Sequence, residues 1–290
     1  MTKTIKQNND FLYIKDSSLK SISIKNIKNK TLIIINNLNI NQESNIEFIL
    51  EKNANINVLE VFVNTQEIQA QANRKMTLAK NSKLNYCKLQ IIEEDSTLNC
   101  TFNSDLKKDC ELSMHILEKG SKESINTINN DLKKKNIKLN INILTKLLHK
   151  SKVQNHIKTV HNAQNTYSCI SNKHILDNES SSLFAPLSIV NRKALYAGAY
   201  QYSKAILLSD NCNVKANPHL EILIDELKAG HGSSIGSIDE NALYYLQSRG
   251  IKKEDAKHMI LQAFENDIYD NIPSLNIQDF IKNFSRKAYV

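Results

Sequence analysis

Apolar and polar residues alternate in short runs over much of the chain, as in Ser21-Ile22-Ser23-Ile24, Asn45-Ile46-Glu47-Phe48 and Asn57-Val58-Leu59-Glu60-Val61. A period of two sends successive side chains to opposite faces, so these runs predict strands. The bends between them carry asparagine, since Gly120 is the only glycine before residue 198. Asparagine suits that place because its short amide bonds its own backbone and tolerates the left-handed conformation.

The strands recur at longer range. Lys52-Asn53-Ala54-Asn55-Ile56-Asn57-Val58 aligns with Lys80-Asn81-Ser82-Lys83-Leu84-Asn85-Tyr86, then with Lys108-Asp109-Cys110-Glu111-Leu112-Ser113-Met114, then with Lys135-Asn136-Ile137-Lys138-Leu139-Asn140-Ile141. The starts lie about 28 residues apart, a spacing typical of solenoids. Two short strands and two bends use about that length, and such a turn buries its apolar side only by stacking on the next. The fold class expected is mainly β: a parallel β-helix with two strands per turn over residues 21–236, after an N-terminal extension over residues 1–20. On pattern alone the alternative is an antiparallel sandwich with coincidental spacing.

At residue 237 the period changes. Ser237-Ile238-Asp239-Glu240 reads as a capping box, with Ser237 at the N-cap, and predicts a helix over 238–249 stopped by Gly250. A second helix places Ala256, Met259, Ile260, Ala263 and Phe264 on one face, and after Pro273 a third runs from Leu275 to Lys287. Residues 237–290 thus form a small C-terminal helical domain. Its simplest role is to cap the open edge of the solenoid, and its sharper role is to dock a partner.

Composition narrows the function. With 290 residues, 41% hydrophobic and 23% charged, the chain can bury a real core. No apolar run approaches the roughly 18 residues of a membrane span, and the start lacks a secretory signal, so the expectation is a cytoplasmic protein without a membrane partner. The net charge of +8 comes almost wholly from lysines mixed with Asp and Glu, with only Arg74, Arg192, Arg249 and Arg286 as guanidinium groups. That describes a solvated surface and no nucleic-acid partner. Five scattered cysteines, with no C-x-x-C, give neither a disulfide framework nor a self-contained zinc site. No Gly-Lys-Ser or Gly-Lys-Thr loop exists, and Gly230-His231-Gly232-Ser233-Ser234-Ile235-Gly236 has the wrong spacing for a dinucleotide fingerprint. A β-helix enzyme acting on polysaccharide would need carboxylates lining a groove. Glu93, Glu94 and Asp95, the one dense acidic cluster, read as solvated bend residues. A purely structural solenoid is a third option, against which the helical domain and missing secretion signal argue.

The segment from Ala185 to Asp270 resembles the SufB/SufD family of iron-sulfur cluster assembly proteins. The residues carrying the resemblance are Ala205-Ile206-Leu207-Leu208-Ser209-Asp210, Pro218-His219-Leu220-Glu221-Ile222, Gly230-His231-Gly232-Ser233-Ser234-Ile235-Gly236, Asp239-Glu240 with Leu243-Tyr244-Tyr245-Leu246, and Ser248-Arg249-Gly250-Ile251. The pair His231-Gly232 is the SufD form, where SufB-like chains carry Glu after the histidine. The family's N-terminal helical region is missing or reduced to about the first 20 residues. Cys212 is not a usual SufD feature and reads as a small strand-end residue before it reads as a ligand.

The resemblance implies a β-helix with a helical C-terminal domain, in a non-catalytic scaffold subunit. The β-helix would pair with a SufB-like chain, or with a second copy when alone, while the helical domain docks a SufC-like ATPase on which ATP hydrolysis falls. A transient iron-sulfur cluster would be shared with the partner and not held by this chain alone. Ligand chemistry agrees: a cluster takes four protein ligands, and His231 and Cys212 are the only nearby donors. His231, between two glycines, otherwise reads as an exposed loop residue. Leu220-Glu221-Ile222-Leu223-Ile224-Asp225 reads as an end strand with unpaired amides, so Leu220, Ile222, Leu223 and Ile224 are expected to form the seam with the partner. The helix from Ile238 to Arg249, with Leu243, Tyr244, Leu246, Arg249 and Gly250, is expected to dock the ATPase.

Overall fold

The structure, a computed structural model, describes residues 2–5, 11–15, 21–24, 30–38, 42–64 and 66–287. Its strands fall into two sheets. The first contains β1 (Thr2–Ile5), β3 (Ser21–Ile24), β5 (Glu43–Leu50), β7 (Gln69–Leu78), β9 (Thr97–Leu106), β11 (Glu123–Leu132), β13 (Lys152–His161), β15 (Ser181–Val190), β17 (Asn213–Ala216) and β18 (His219–Ile222), the last two both on β15. The second contains β2 (Phe11–Lys15), β4 (Lys30–Asn37), β6 (Asn55–Val63), β8 (Lys83–Ile91), β10 (Glu111–Lys119), β12 (Lys138–Leu147), β14 (Tyr167–Leu176), β16 (Ala197–Leu207) and β19 (Leu227–Gly236). The chain switches sheet at nearly every strand, and every described pairing is parallel. This is a parallel β-helix with two strands per turn, and not an antiparallel sandwich. β1 and β2 pair with β3 and β4, so coiling reaches into residues 1–20; the rest of that extension lies outside the described residues.

The repeat follows from one backbone corner. Asn53, Asn81, Asp109, Asn136 and Asn165 all adopt left-handed φ, between 56° and 63°. Each amide then donates to the next coil: Asn53 N to Lys80 O at 3.2 Å, Asn81 N to Lys108 O at 3.3 Å and Asp109 N to Lys135 O at 3.2 Å. Side chains repeat the ladder, with Asn81 Nδ2 donating to Asn53 Oδ1 at 3.2 Å and Asn136 Nδ2 to Asp109 Oδ1 at 2.7 Å. At the next corner the position is held by Tyr196, with φ 60° and 68% exposed, whose ring offers its own backbone no such bond.

Between the sheets lies the core. Leu32, Val58, Tyr86, Met114, Ile141 and Ile170 form one inward column, and Phe48, Tyr86 and Phe102 meet edge to face with centroids 5.8 Å apart. The same lumen also seals charges. The Arg74 guanidinium grips Glu60, with Nη2 at 2.6 Å and Nε at 2.9 Å from Oε1, while Tyr86 Oη and Asn36 Nδ2 also donate to that carboxylate. One coil on, Lys88 Nζ donates to Glu118 Oε1 at 2.5 Å, Asn126 Oδ1 at 2.9 Å and Gln90 Oε1 at 3.1 Å. Buried charge is tolerated because each ion has a counter-charge and further hydrogen bonds, Glu118 Oε1 accepting from Asn126 Nδ2 at 3.0 Å as well as from Lys88.

Strands β6, β8, β10 and β12 are apolar on their outer face too, through Leu59, Val61, Cys87, Leu89, Leu117 and Leu144. That face is covered by α2 (Lys253–Tyr269), α3 (Leu275–Lys287) and the link between them, which supply Ile268, Tyr269, Ile272, Ile277 and Ile281. Burying each isoleucine stabilises the contact by about 2 kcal/mol. Lys146 with Glu265 at 2.6 Å and Lys173 with Asp267 at 2.5 Å pin the rim. The helical domain is therefore a side layer on the second sheet, which corrects the expected end cap. Helix α1 (Glu240–Ser248) starts two residues later than the sequence suggested, because Asp239 is the N-cap: its Oδ1 accepts from Asn241 N at 2.9 Å and Ala242 N at 3.2 Å. Ser237 makes no such bond; its hydroxyl faces Ile238 O.

Candidate functional site

The C-terminal end of the solenoid brings the sequence candidates together. β19 pairs with β16 in the register Gln201 with His231, Ser203 with Ser233 and Ala205 with Ile235. Gln201, Ser203 and Ala205 are buried inward residues, so His231, Ser233 and Ile235 share the lumen face; they are exposed at the mouth of the coil. His231 thus lies in mid-strand, not in the loop its glycine neighbours suggested. Gly230 and Gly232 do not have left-handed backbones; they face outward, where an added Cβ would rest 3.8 Å from the Tyr200 ring and 3.6 Å from the Tyr202 ring.

Beneath the mouth the lumen is polar and uncharged. Gln201 Nε2 donates to Ser188 Oγ at 2.8 Å and to His219 O at 3.1 Å. His174 lies between Ser182 Oγ at 3.0 Å and Ser203 Oγ at 3.3 Å, and His161 between Thr166 Oγ1 and Ser168 Oγ at 2.8 Å each. Burial lowers the two imidazoles to about 3 and about 4 respectively, so both are neutral.

Among the described residues β19 pairs on one side only, leaving a ten-residue edge with free ladder groups. The segment expected as the seam ends the first sheet at the same mouth but is short: β18 has four residues and follows a break at Asn217-Pro218. Leu220 and Ile222 lie on it, with Leu220 half-buried and Ile222 exposed. Leu223 is 56% exposed, its N–H already donating to Val190 O at 2.9 Å, and Ile224 packs on Val190, Ala194 and Ala197. Sequence reading passed over β19 as the longer edge, although the alternation of Ala229, His231, Ser233 and Ile235 against the glycines carries its signal.

Cys212 precedes β17 at a corner of the first sheet. It is buried with Leu147, Val153 and Leu176, and its thiol donates to Ser209 O at 3.0 Å. That is the setting of a packed strand-end cysteine. Among the described residues no three His, Cys, Asp or Glu converge on a position that would hold a metal. Glu93, Glu94 and Asp95 follow β8 at a bend, where Glu94 meets His149 at 3.2 Å on the surface. On α1, Leu243 faces inward and anchors the helix, which removes it from the expected docking set. Tyr244 is 75% exposed, Leu246 is half-buried, and Arg249 and Gly250 lie in solvent with the guanidinium 5.3 Å over the Tyr245 ring. No helix among the described residues is long and apolar enough to cross a membrane.

Comparison with known proteins agrees with this geometry. The family model described as "SUF system FeS cluster assembly, SufBD core domain" matches residues 33–264. The iron-sulfur cluster assembly protein SufD of Bacillus subtilis is 35% identical over 99 residues, 34% of this chain and 23% of that protein. SufD of Escherichia coli is 34% identical over 92 residues, covering 32% and 22%, and a SufBD family protein of Synechocystis is 31% identical over 106 residues, covering 37% and 23%. The matched segments span less than a quarter of these relatives' lengths. With the family model covering most of a chain coiled as a β-helix and flanked by helices, the protein belongs to the SufBD core-domain family of the SUF iron-sulfur cluster assembly system.

Proposed function

We propose that this chain is a non-catalytic, cytoplasmic scaffold subunit of SufD type, which pairs with a SufB-like chain through the open mouth of its solenoid. A nascent iron-sulfur cluster is the cargo held between them. His231 contributes one ligand and the partner supplies the others. Cys212 serves packing, since its thiol is already turned to a backbone carbonyl inside an apolar cluster. A SufC-like ATPase docks on the outer surface of α1, through Tyr244, Leu246, Arg249 and Gly250.

The observation that supports this reading above all is the pairing of one exposed imidazole with a free strand edge at the same mouth. A single imidazole is too few donors for a cluster, and a free edge is a template for a second chain. The test is anaerobic co-expression with SufB-like and SufC-like partners. His231→Ala should leave the complex intact and lower cluster yield at least tenfold. Ile222→Asp should weaken pairing, and is cleaner than Leu223→Pro, which also removes the bond to Val190. Arg249→Glu should release the ATPase. Full cluster yield with His231→Ala would overturn the ligand assignment, and unchanged ATPase binding would move the dock off α1.

A further inference from the structure

We propose that Gln201 is the positioning residue for His231: its side-chain carbonyl accepts the imidazole Nδ1–H, leaving Nε2 free and aimed out of the mouth. Gln201 is 0% exposed and its orientation is forced. Nε2 faces the His219 carbonyl, which can only accept, so the amide nitrogen must stand there and cannot be exchanged with the oxygen. Ser188 Oγ takes the same nitrogen's second hydrogen. Oε1 is therefore fixed on the other side, buried, and without a protein partner. A buried acceptor without a donor is unfavourable, so a neighbouring donor is favoured.

The neighbours in the column decide which donor. One coil below is Ile170, which has none. Along the strand, the Ser203 hydroxyl is turned to His174. On the remaining side, in direct register and on the same face, is His231, one strand spacing of about 4.8 Å away; its exposed imidazole does not bond Oε1 in the conformation described, and a turn of the ring makes the bond. A carbonyl on Nδ1 selects one tautomer and fixes the ring plane, as partners of ligating histidines commonly do. Nε2, the outermost ring atom, then projects past the free edge toward whatever pairs there.

The purpose of this arrangement rests on the reading of His231 as a cluster ligand, but the hydrogen bond does not, and the experiment separates them. Nitrogen-15 NMR of the isolated full chain at about pH 8.5, where a free imidazole is neutral, reads the tautomer of His231, identified by the signal lost in His231→Ala. Wild type should show the Nδ1–H form, and Gln201→Met, which keeps shape but removes the acceptor, should shift the ratio about fivefold toward Nε2–H, the change one net hydrogen bond supports. A predominantly Nε2–H wild type would overturn the proposal even if no variant folded, as would an equal ratio in wild type and folded Gln201→Met. If the tautomer shifts as expected while His231→Ala leaves cluster yield in the partner complex unchanged, the positioning stands and the ligand role falls.

Discussion

The two halves of the lumen follow one coil geometry and treat polar groups in opposite ways. In the N-terminal half, formal charges are enclosed in matched pairs, Glu60 with Arg74 and Lys88 with Glu118, far from either end of the strand stack. Burial works against the Arg74 charge, but Glu60 beside it prevails and holds the guanidinium above its ordinary value. In the C-terminal half the buried groups His161, His174, Gln201, Ser188 and Ser203 are neutral, and the last imidazole is open to solvent. A closed coil can keep ions only when both members belong to it. At an open mouth, groups stable without a counter-charge leave room for ligands supplied by another molecule.

Acid should break the neutral half first. Below about pH 6.5 the unfolded chain protonates His161, His174 and the buried His115 of β10 while the folded chain, with these imidazoles at about 4, about 3 and about 4, does not. Stability is therefore full above that pH and lost as pH falls, by up to roughly 4 kcal/mol per unit and roughly 8 kcal/mol by about pH 4.5. Urea titrations across that range measure it, and His174→Gln should reduce the slope by about a third; an unchanged slope would mean that other groups set the acid limit. In the charged half, Glu60→Ala strands Arg74 and should cost about 3–5 kcal/mol at neutral pH. A loss under 1 kcal/mol in the same titration would show that water reaches the guanidinium.

Smaller effects sharpen the contrast. Tyr196→Asn, restoring the residue type of the other corners, should raise stability by about 0.5–1 kcal/mol, since a left-handed backbone is unfavourable for a ring side chain. A decrease would indicate that the ring has a packing role. His231→Ala should cost about 0.5–1 kcal/mol, the net value of the hydrogen bond it gives Gln201. No loss in thermal unfolding would mean that Gln201 gains nothing from that imidazole.

Much of this architecture was legible in the sequence because its cause is local. The corner at Asn53, Asn81, Asp109 and Asn136 is a single-residue conformational choice, and its recurrence sets the strand lengths. The helices were equally visible, with the cap misplaced because Ser237 and Asp239 are both acceptable N-cap types and only the geometry chooses. The lumen charges were hidden by the reading of charge as surface. Yet alternation puts Glu60 on the face of Val58, and Lys88 occupies the matching slot one repeat later, a pairing that period two with period 28 would have exposed. Leu59, Val61 and Leu89, apolar on the opposite face, likewise announced a covering layer. His231 was found through motif resemblance, but its strand context was not, because the flanking glycines mimic a turn. Gln201 had no local signal at all: its role depends on which residue the register sets beside it.

The shared corner also bears on how such a chain can change length. Because Asn136 and Asn165 have the same backbone conformation, removing residues 137–165 would join two matching bends and delete a coil whose lumen side chains carry no carboxylate or ammonium, losing the rim pair of Lys146 with Glu265. Removing residues 81–108 would instead take Lys88 and orphan Glu118. Indels by whole coils are thus graded by electrostatics, with the ionic pairs marking the stretch of the solenoid that descent can least afford to trim.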